Sequence, residues 1–182
     1  RCWWNNPQKE SKNVVLVLPE VFGVNSWVRS VVDRLAEQGI PALAMPLFAR
    51  TAPELELGYS DDDLVEGRRH KEQTTAQQIL VDASTSLNWL KQQYSQSKIT
   101  VVGFCFGGHA ALITSTLPDV DKTFDFYGAG VATTRPGGGP PSLELLRNTS
   151  GELTCICGTG DPLIPEADRT SIQEALSKAD PS

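Results

Sequence analysis

Short apolar runs that alternate with longer amphipathic stretches dominate this sequence of 182 residues. Val14 to Leu18 is a β-branched run of the kind that forms a strand buried on both faces. A stretch with one apolar face follows it up to about Gln38, and Gly39 stands where a helix is expected to end. Further strands are predicted at 40–45, 98–104, 122–127 and 153–157, and further helices at 74–94, 109–117 and 165–178. This order predicts an α/β fold whose mainly parallel strands are joined by helical crossovers.

Two stretches lack such a pattern. Residues 48–72 are polar and irregular and include the acidic run Asp61-Asp62-Asp63, which is typical of a surface excursion or a lid. Residues 133–141 are rich in Gly and Pro, and we expect a loop there that is too short to separate two domains. Because the chain also has no internal repeat, its length predicts a single domain over residues 1–182.

The amino-acid composition argues against nucleic acid, a membrane span and a zinc site. The formal net charge of −6 argues against nucleic acid, which needs a basic face, and no apolar run approaches the length of a membrane span. Cys155 and Cys157 alternate along a predicted strand, so both face one side, which is typical of core packing rather than of a zinc site. Free thiols favour a reducing compartment, and we expect the protein to be cytoplasmic.

The most specific motif joins a strand to a helix. Residues 98–104 are a predicted strand that runs into Gly103-Phe104-Cys105-Phe106-Gly107, and a helix begins directly after Cys105. A nucleophile flanked in this way on a sharp turn is the nucleophile elbow of α/β hydrolases, here with Cys in place of Ser. The glycines remove side chains that would clash in the turn, and we expect the helix N-terminus to lower the pKa of the thiol. Cys105 is therefore the predicted nucleophile, and the competing interpretation is a buried cysteine in a chance match.

A second motif follows the last predicted strand. Gly158-Thr159-Gly160-Asp161-Pro162 is a Gly-rich turn, and a helix with Pro165 near its first turn comes next. In α/β hydrolases the triad acid lies in such a loop, after the nucleophile in chain order. Asp161 is thus the candidate triad acid, although Gly-Asp-Pro is also ordinary turn chemistry.

Glu20 stands at the C-terminal end of the first strong strand, and ligands of parallel α/β sheets bind at that edge. Its carboxylate could pair with the thiol or accept its proton, and the N–H of Val21 could be a second oxyanion donor. A solvated glutamate in a loop fits the sequence equally well.

Five segments together resemble the dienelactone hydrolase family, in that family's order and across residues 14–178. They are Pro19-Glu20-Val21-Phe22-Gly23, Pro46-Leu47-Phe48-Ala49-Arg50, Gly103-Phe104-Cys105-Phe106-Gly107-Gly108, Phe126-Tyr127-Gly128 and Gly160-Asp161-Pro162-Leu163-Ile164-Pro165. The resemblance implies an α/β-hydrolase fold, with a mostly parallel central sheet and helices on both faces. It also implies a Cys-His-Asp triad, in which Cys105 is the nucleophile, Asp161 the acid and Glu20 the partner of the thiol.

The same resemblance implies an oxyanion hole formed by the N–H groups of Val21 and Phe106. Basic residues of the family grip a substrate carboxylate; Arg68 and Arg69 lie in about the right region, and Tyr127 is a further candidate for substrate binding. The expected partner is a small-molecule ester or lactone, with no metal, organic cofactor, nucleic acid or membrane. The expected assembly is a monomer or a homodimer.

The triad histidine is missing from its expected place, because no His follows Asp161. We expect the chain to be truncated at both ends, since a protein that had lost its base would have little reason to keep Cys105, Glu20 and Asp161 together. His109 lies one helical turn after Cys105 and is expected to be a packing or hydrogen-bonded residue beneath the nucleophile. His70 is expected to belong to a solvated basic patch.

These residues predict a hydrolase that cleaves a carboxylic ester or lactone through a cysteine nucleophile. One alternative is an acyl transferase that uses the same thiol on the same fold. The other is a small-molecule-binding protein that keeps the pocket without turnover. The sequence leaves both alternatives open.

Overall fold

The computed structural model describes residues 1–7 and 10–179, which contain one six-stranded sheet in the order β1-β3-β2-β4-β5-β6. The strands are β1 (Trp3–Asn5), β2 (Asn13–Leu18), β3 (Ala42–Ala44), β4 (Lys98–Phe104), β5 (Lys122–Phe126) and β6 (Glu152–Ile156). Only β1 pairs antiparallel, with β3; every other neighbouring pair is parallel. The C-terminal ends of β2, β4 and β5 therefore meet at one edge of the sheet, where the chemistry of such folds takes place.

Helices cover both faces of this sheet, as the sequence predicted. They are α1 (Ser26–Glu37), α2 (Asp61–Glu72), α3 (Ala76–Gln93), α4 (Phe106–Thr114) and α5 (Glu166–Ala179), with a 3₁₀ helix at Ser142–Asn148. The odd residues Val15 and Val17 of β2 pack with α1, whereas its even residues pack with α3 and α4. None of the helices in residues 1–7 and 10–179 is long and apolar enough to cross a membrane.

The structure corrects the prediction for residues 48–72, because half of this stretch is the regular helix α2. Ser60 and Asp63 cap it reciprocally: each side chain accepts a hydrogen bond from the other's backbone N–H. Three acids in its first turn and three basic residues in its last turn complement the helix dipole. Apolar periodicity does not predict this helix, because only Gly67 and His70 of α2 are buried.

Candidate functional site

Cys105 occupies the single-residue junction between β4 and α4. Its backbone has φ 54°, a left-handed conformation that non-glycine residues seldom adopt. The junction is fixed on both sides, since the Cys105 N–H donates to the Phe126 carbonyl at 3.0 Å and the His109 N–H donates to the Cys105 carbonyl at 3.1 Å. This is the strained strand-to-helix turn that a nucleophile elbow requires.

The positions around Cys105 require glycine, because neighbouring atoms occupy the space that a side chain would need. A Cβ atom at Gly103 would overlap the Gly107 carbonyl, and one at Gly107 would overlap the carbonyls of Leu18 and Pro19 at the end of β2. At Gly108 a Cβ atom would overlap the side chain of Asp125 on β5. The elbow thus packs directly on both neighbouring strands.

Burial raises the pKa of the half-buried Cys105 thiol, and this is the dominant effect on it. A hydrogen bond from the Phe106 N–H lowers the pKa, as does the positive charge of Lys71, whereas the carboxylates of Glu20 and Asp161 raise it. The N–H at the start of α4 lowers the thiol pKa as expected, but desolvation outweighs it, so the net pKa is raised. At neutral pH the resting protein holds a neutral thiol.

Glu20 is a half-buried residue rather than a solvated one. Its Oε2 accepts a hydrogen bond of 3.0 Å from the hydroxyl of Tyr59, whose ring packs edge-on against Phe22 with centroids 4.6 Å apart. Burial raises the pKa of Glu20, and the hydrogen bond from Tyr59 partly offsets this. The structure contains no hydrogen bond between Glu20 and the Cys105 thiol, but the charge of Glu20 acts on the thiol and raises its pKa.

Val21 lies beside the elbow and is held there by α2. Its carbonyl and Cβ face Gly67 so closely that a Cβ atom on Gly67 would overlap the Val21 carbonyl. Among the described residues, neither Val21 nor Phe106 uses its N–H in a backbone hydrogen bond, and that of Phe106 is directed at the thiol. The Phe106 N–H therefore lies next to the Cys105 thiol, and the Val21 N–H has no backbone acceptor within the described part of the chain.

Asp161 is half-buried in the turn after β6. Its Oδ1 accepts a hydrogen bond of 2.8 Å from the Leu163 N–H, which shapes the turn. Oδ2 has no hydrogen bond within the part of the chain that the structure describes. The carboxylate also lies close enough to Cys105 for its charge to raise the pKa of the thiol. The position of Asp161 is therefore compatible with both interpretations, a residue that shapes the turn and a residue of the site.

The comparisons with known proteins agree with this geometry. The sequence pattern of the dienelactone hydrolase family matches residues 2–182. The chain belongs to the dienelactone hydrolase family. A protein of Synechocystis sp. is 36% identical over 167 residues, which are 91% of this chain and 68% of that protein. The carboxymethylenebutenolidase of Pseudomonas putida is 31% identical over 173 residues, which are 94% of this chain and 70% of that enzyme.

Solved structures confirm the fold. A Klebsiella pneumoniae structure superposes with a TM-score of 0.82 at 21% identity and covers 98% of this chain and 75% of that one. An esterase of Pyrococcus furiosus superposes with a TM-score of 0.70 at 19% identity, covering 99% and 74% of the two chains. The α/β-hydrolase fold is thereby established, and the chain is a dienelactone hydrolase-like hydrolase, a family that acts on small molecules.

Tyr127 lies at the end of β5 with φ 45°, the only other non-glycine residue with positive φ in the described chain. Burial raises its pKa to about 12, and the charges of Glu20, Cys105 and Tyr59 add to this. The phenol therefore stays protonated at neutral pH and belongs to the same group of side chains as Glu20 and Cys105.

The two arginines that the family resemblance suggested lie on the exposed side of α2. Arg69 forms a two-pronged ion pair with Glu66, at 2.6 Å from Nη2 to Oε1 and 3.1 Å from Nε to Oε2. Arg68 is exposed. The cation whose charge acts on Cys105 is instead Lys71, which sequence reasoning missed. Lys71 places its Nζ 5.6 Å from the centre of the Phe106 ring.

Both histidines of the chain are engaged away from the thiol. His109 is 1% exposed, with Nδ1 3.1 Å from the Ala129 carbonyl and Nε2 2.7 Å from the Ser142 hydroxyl. Because a carbonyl only accepts, Nδ1 carries the proton, and burial lowers the pKa of this ring to about 4. The expected hydrogen-bonded residue beneath the elbow is thus confirmed for His109.

The expectation for His70 was wrong. It is 5% exposed and bonds Thr51 and Glu66 through its two ring nitrogens, each at 2.9 Å. The residue is buried because α2 turns the face that carries Gly67 and His70 towards the protein.

Asp125 is a further group that sequence reasoning missed. It is 2% exposed at the end of β5, and its Oδ1 accepts a hydrogen bond of 2.8 Å from the Gly128 N–H. Burial raises its pKa to about 6. Its only sequence signal was an acidic residue inside a predicted strand, and its role is to support the turn beneath the elbow.

Proposed function

We propose that Cys105 is the nucleophile of a hydrolase that cleaves a carboxylic ester or a lactone. The observation that carries this proposal is the left-handed backbone of Cys105 at the junction of β4 and α4, with the Phe106 N–H directed at the thiol. Family membership and the name of the Pseudomonas putida relative support the same reaction class.

In the first half-reaction the thiol sulfur attacks the carbonyl carbon of the substrate. The carbon–sulfur bond forms while the thiol proton passes to the Glu20 carboxylate, whose raised pKa makes it a better base than an exposed glutamate. The carbonyl oxygen becomes an oxyanion and accepts hydrogen bonds from the N–H groups of Val21 and Phe106. Collapse breaks the carbon–oxygen bond, the leaving alkoxide takes up the proton held by Glu20, and a thioester on Cys105 remains while Glu20 returns to the carboxylate.

In the second half-reaction water hydrolyses this thioester, which requires a general base. His70 and His109 do not serve, because hydrogen bonds engage both ring nitrogens of each. We propose that the base is a further histidine, beyond the two in these 182 residues, and that the Asp161 carboxylate orients it. The residues present here therefore support acylation, and we expect deacylation of this chain to be slow.

The test is a pre-steady-state assay with p-nitrophenyl acetate. We expect one equivalent of p-nitrophenolate in a burst, and an acetyl group on the peptide that contains Cys105. Cys105→Ala should abolish the burst, whereas Cys2→Ala, which removes an exposed thiol near the N-terminus of the chain, should leave it intact. A burst of equal size from Cys105→Ala would remove Cys105 from the mechanism.

The same assay separates the two alternatives. An acyl transferase would release the acetyl group from Cys105 only when an alcohol or thiol acceptor is added. A binding protein would give no burst at all. A monomer or homodimer and a cytoplasmic location remain predictions, the latter resting on four cysteines that form no disulfide.

A further inference from the structure

The Asp125 carboxylate is buried beneath the site without a cation to neutralise it. No lysine or arginine in residues 1–7 and 10–179 forms an ion pair with it. Burial raises its pKa to about 6, so the carboxylate is largely ionised at pH 7. An ionised carboxylate in the core costs folding free energy unless hydrogen bonds satisfy its oxygens. The contacts of this carboxylate therefore indicate what it does for the protein.

The first contact closes a turn across Tyr127. Asp125 Oδ1 accepts a hydrogen bond of 2.8 Å from the Gly128 N–H, three residues further along the chain. Tyr127 lies inside this turn with φ 45°, a conformation that a bulky residue keeps only where its surroundings hold it. The Tyr127 N–H also donates to the Ile156 carbonyl at 2.8 Å. Asp125 thus supplies the acceptor that closes the strained turn from its inner side.

The same turn is joined to the elbow. The Phe126 carbonyl accepts the hydrogen bond from the Cys105 N–H. The Asp125 carboxylate lies so close to Gly108 of α4 that a Cβ atom on this glycine would be 2.3 Å from Oδ1. The turn and the elbow are therefore in direct contact at two points, and a shift of one must move the other.

The neighbouring strand β6 supplies a second donor to the carboxylate. Asp125 pairs with Cys155 in the parallel register, so both side chains lie on the same face of the sheet. A hydrogen bond from the Cys155 thiol lowers the pKa of Asp125, and burial keeps this thiol protonated. On the side of α4, the ring of His109 has a pKa of about 4 and is neutral. The carboxylate is therefore held by neutral donors rather than by an opposite charge.

We propose that Asp125 is a positioning residue for the reaction at Cys105, because it holds Tyr127 in the backbone conformation that keeps the phenol beside the thiol. This rests on the proposed function of Cys105. The phenol belongs to the site, since the charges of Glu20 and Cys105 act on it. Without an acceptor at position 125, the buried Gly128 N–H would lose its partner. Tyr127 would then relax towards negative φ, and its phenol would move away from the thiol.

The test compares two reactions of Cys105, acylation by p-nitrophenyl acetate and alkylation by iodoacetamide. Acylation requires an aligned substrate, whereas alkylation requires only an ionised and accessible thiol. The measured quantity is the ratio of the acylation rate constant to the alkylation rate constant. We expect Asp125→Val, which removes the acceptor, to lower this ratio roughly tenfold, because a displaced side chain misaligns the substrate.

A conservative variant and a matched control show whether the acceptor is responsible. Asp125→Asn keeps an acceptor oxygen in the same place, and its ratio should stay within about twofold of the wild-type value. An equal loss in Asp125→Asn and Asp125→Val would assign the effect to the charge and overturn the proposal. The control is Thr123→Val, on the same buried face of β5, whose hydroxyl has no hydrogen-bond partner among the residues that the structure describes. It should keep the wild-type ratio.

The outcomes distinguish this proposal from the function on which it rests. If the wild type carries no acetyl group on Cys105, the proposed function fails and the positioning role falls with it. If the wild type is acylated and Asp125→Val keeps the wild-type ratio, only the positioning role is overturned. Urea denaturation shows whether Asp125→Val folds; if it does not, the smaller Asp125→Ala replaces it, and a roughly tenfold loss in Asp125→Asn would still overturn the proposal.

Discussion

The elbow helix α4 and the helix α2 both approach the Cys105 thiol, yet all nine residues of α4 are buried whereas only Gly67 and His70 of α2 are. The elbow is assembled within the segment 103–108 and packs on two strands at once. Helix α2 meets the site through the close contact between Gly67 and Val21 and through Lys71, whose Nζ lies over the Phe106 ring. Substitutions in the elbow should therefore destabilise the fold, whereas substitutions in α2 should slow the reaction.

The largest effect on stability is expected from Gly103→Ala. Its Cβ atom would overlap the backbone carbonyl of Gly107, which cannot rotate away, so the elbow and the strands against it must shift. We expect the free energy of unfolding to fall by more than about 3 kcal/mol. Urea denaturation measures it, and Gly160→Ala, where a Cβ atom meets nothing within 4 Å, is the control. A Gly103→Ala protein as stable as the control would show that the elbow is not part of the core.

The buried carboxylate of Asp125, which supports the elbow, should make the stability of the fold depend on pH. Its pKa rises from 3.8 unfolded to about 6 folded, so the folded protein binds the proton more tightly and stability falls as the pH rises from about 4 to about 6. Two pH units correspond to about 3 kcal/mol. We expect Asp125→Asn to lack this loss, so the stability of the variant relative to wild type should increase between pH 4 and pH 7.

Urea denaturation at the two pH values measures this difference, and Asp62→Asn, which changes an exposed carboxylate of α2, is the matched control. The control should follow the wild type at both pH values. Parallel stability curves for wild type and Asp125→Asn would mean that the buried carboxylate does not titrate in this window.

The two helices also differ in how far the sequence could predict them. The spacing of Gly103, Cys105 and Gly107 is a local signal, because the same short segment dictates the turn and its contacts. Helix α2 has no apolar stripe, and its signal lies in the reciprocal cap of Ser60 and Asp63. Its place beside Cys105 depends on packing between segments far apart in the chain, which no local pattern encodes.

The same reason explains the open alternatives at Glu20 and the missed role of Lys71. Tyr59, which bonds Glu20, lies 39 residues further along the chain. Lys71 and Arg135 line the same cavity although two helices and two strands lie between them in the chain. Residues that belong to a motif can be predicted from the sequence, whereas residues that only the tertiary fold brings together cannot.

A sharper test of the α2 side is Gly67→Ala. The new Cβ atom would overlap the Val21 carbonyl, and the mostly exposed helix can yield by moving outward. We expect the acylation rate constant of Cys105 to fall roughly tenfold, since a displaced oxyanion donor costs less than a deleted one. The free energy of unfolding should change by no more than about 1 kcal/mol.

The control for Gly67→Ala is Val65→Ala, which alters a side chain of the same helix that is 68% exposed. It should leave both the acylation rate and the stability near the wild-type values. If Gly67→Ala instead unfolded the protein as Gly103→Ala is expected to, the distinction between a folding side and a reaction side of the site would be lost.

The smallest expected effect comes from Tyr59→Phe, which keeps the ring on Phe22 but removes the hydroxyl that bonds Glu20. That hydrogen bond lowers the pKa of Glu20, so its loss should raise this pKa further and leave less ionised carboxylate at acidic pH. The acid limb of the pH profile for Cys105 acylation should then move to higher pH, with the rate near pH 6 reduced by up to about fivefold, as one hydrogen bond allows. Above pH 8 the two proteins should react alike, and Tyr94→Phe, remote from the site, should match the wild type throughout. An acid limb that stays in place would mean that Glu20 does not receive the thiol proton, because a purely structural role for Tyr59 would lower the rate equally at every pH.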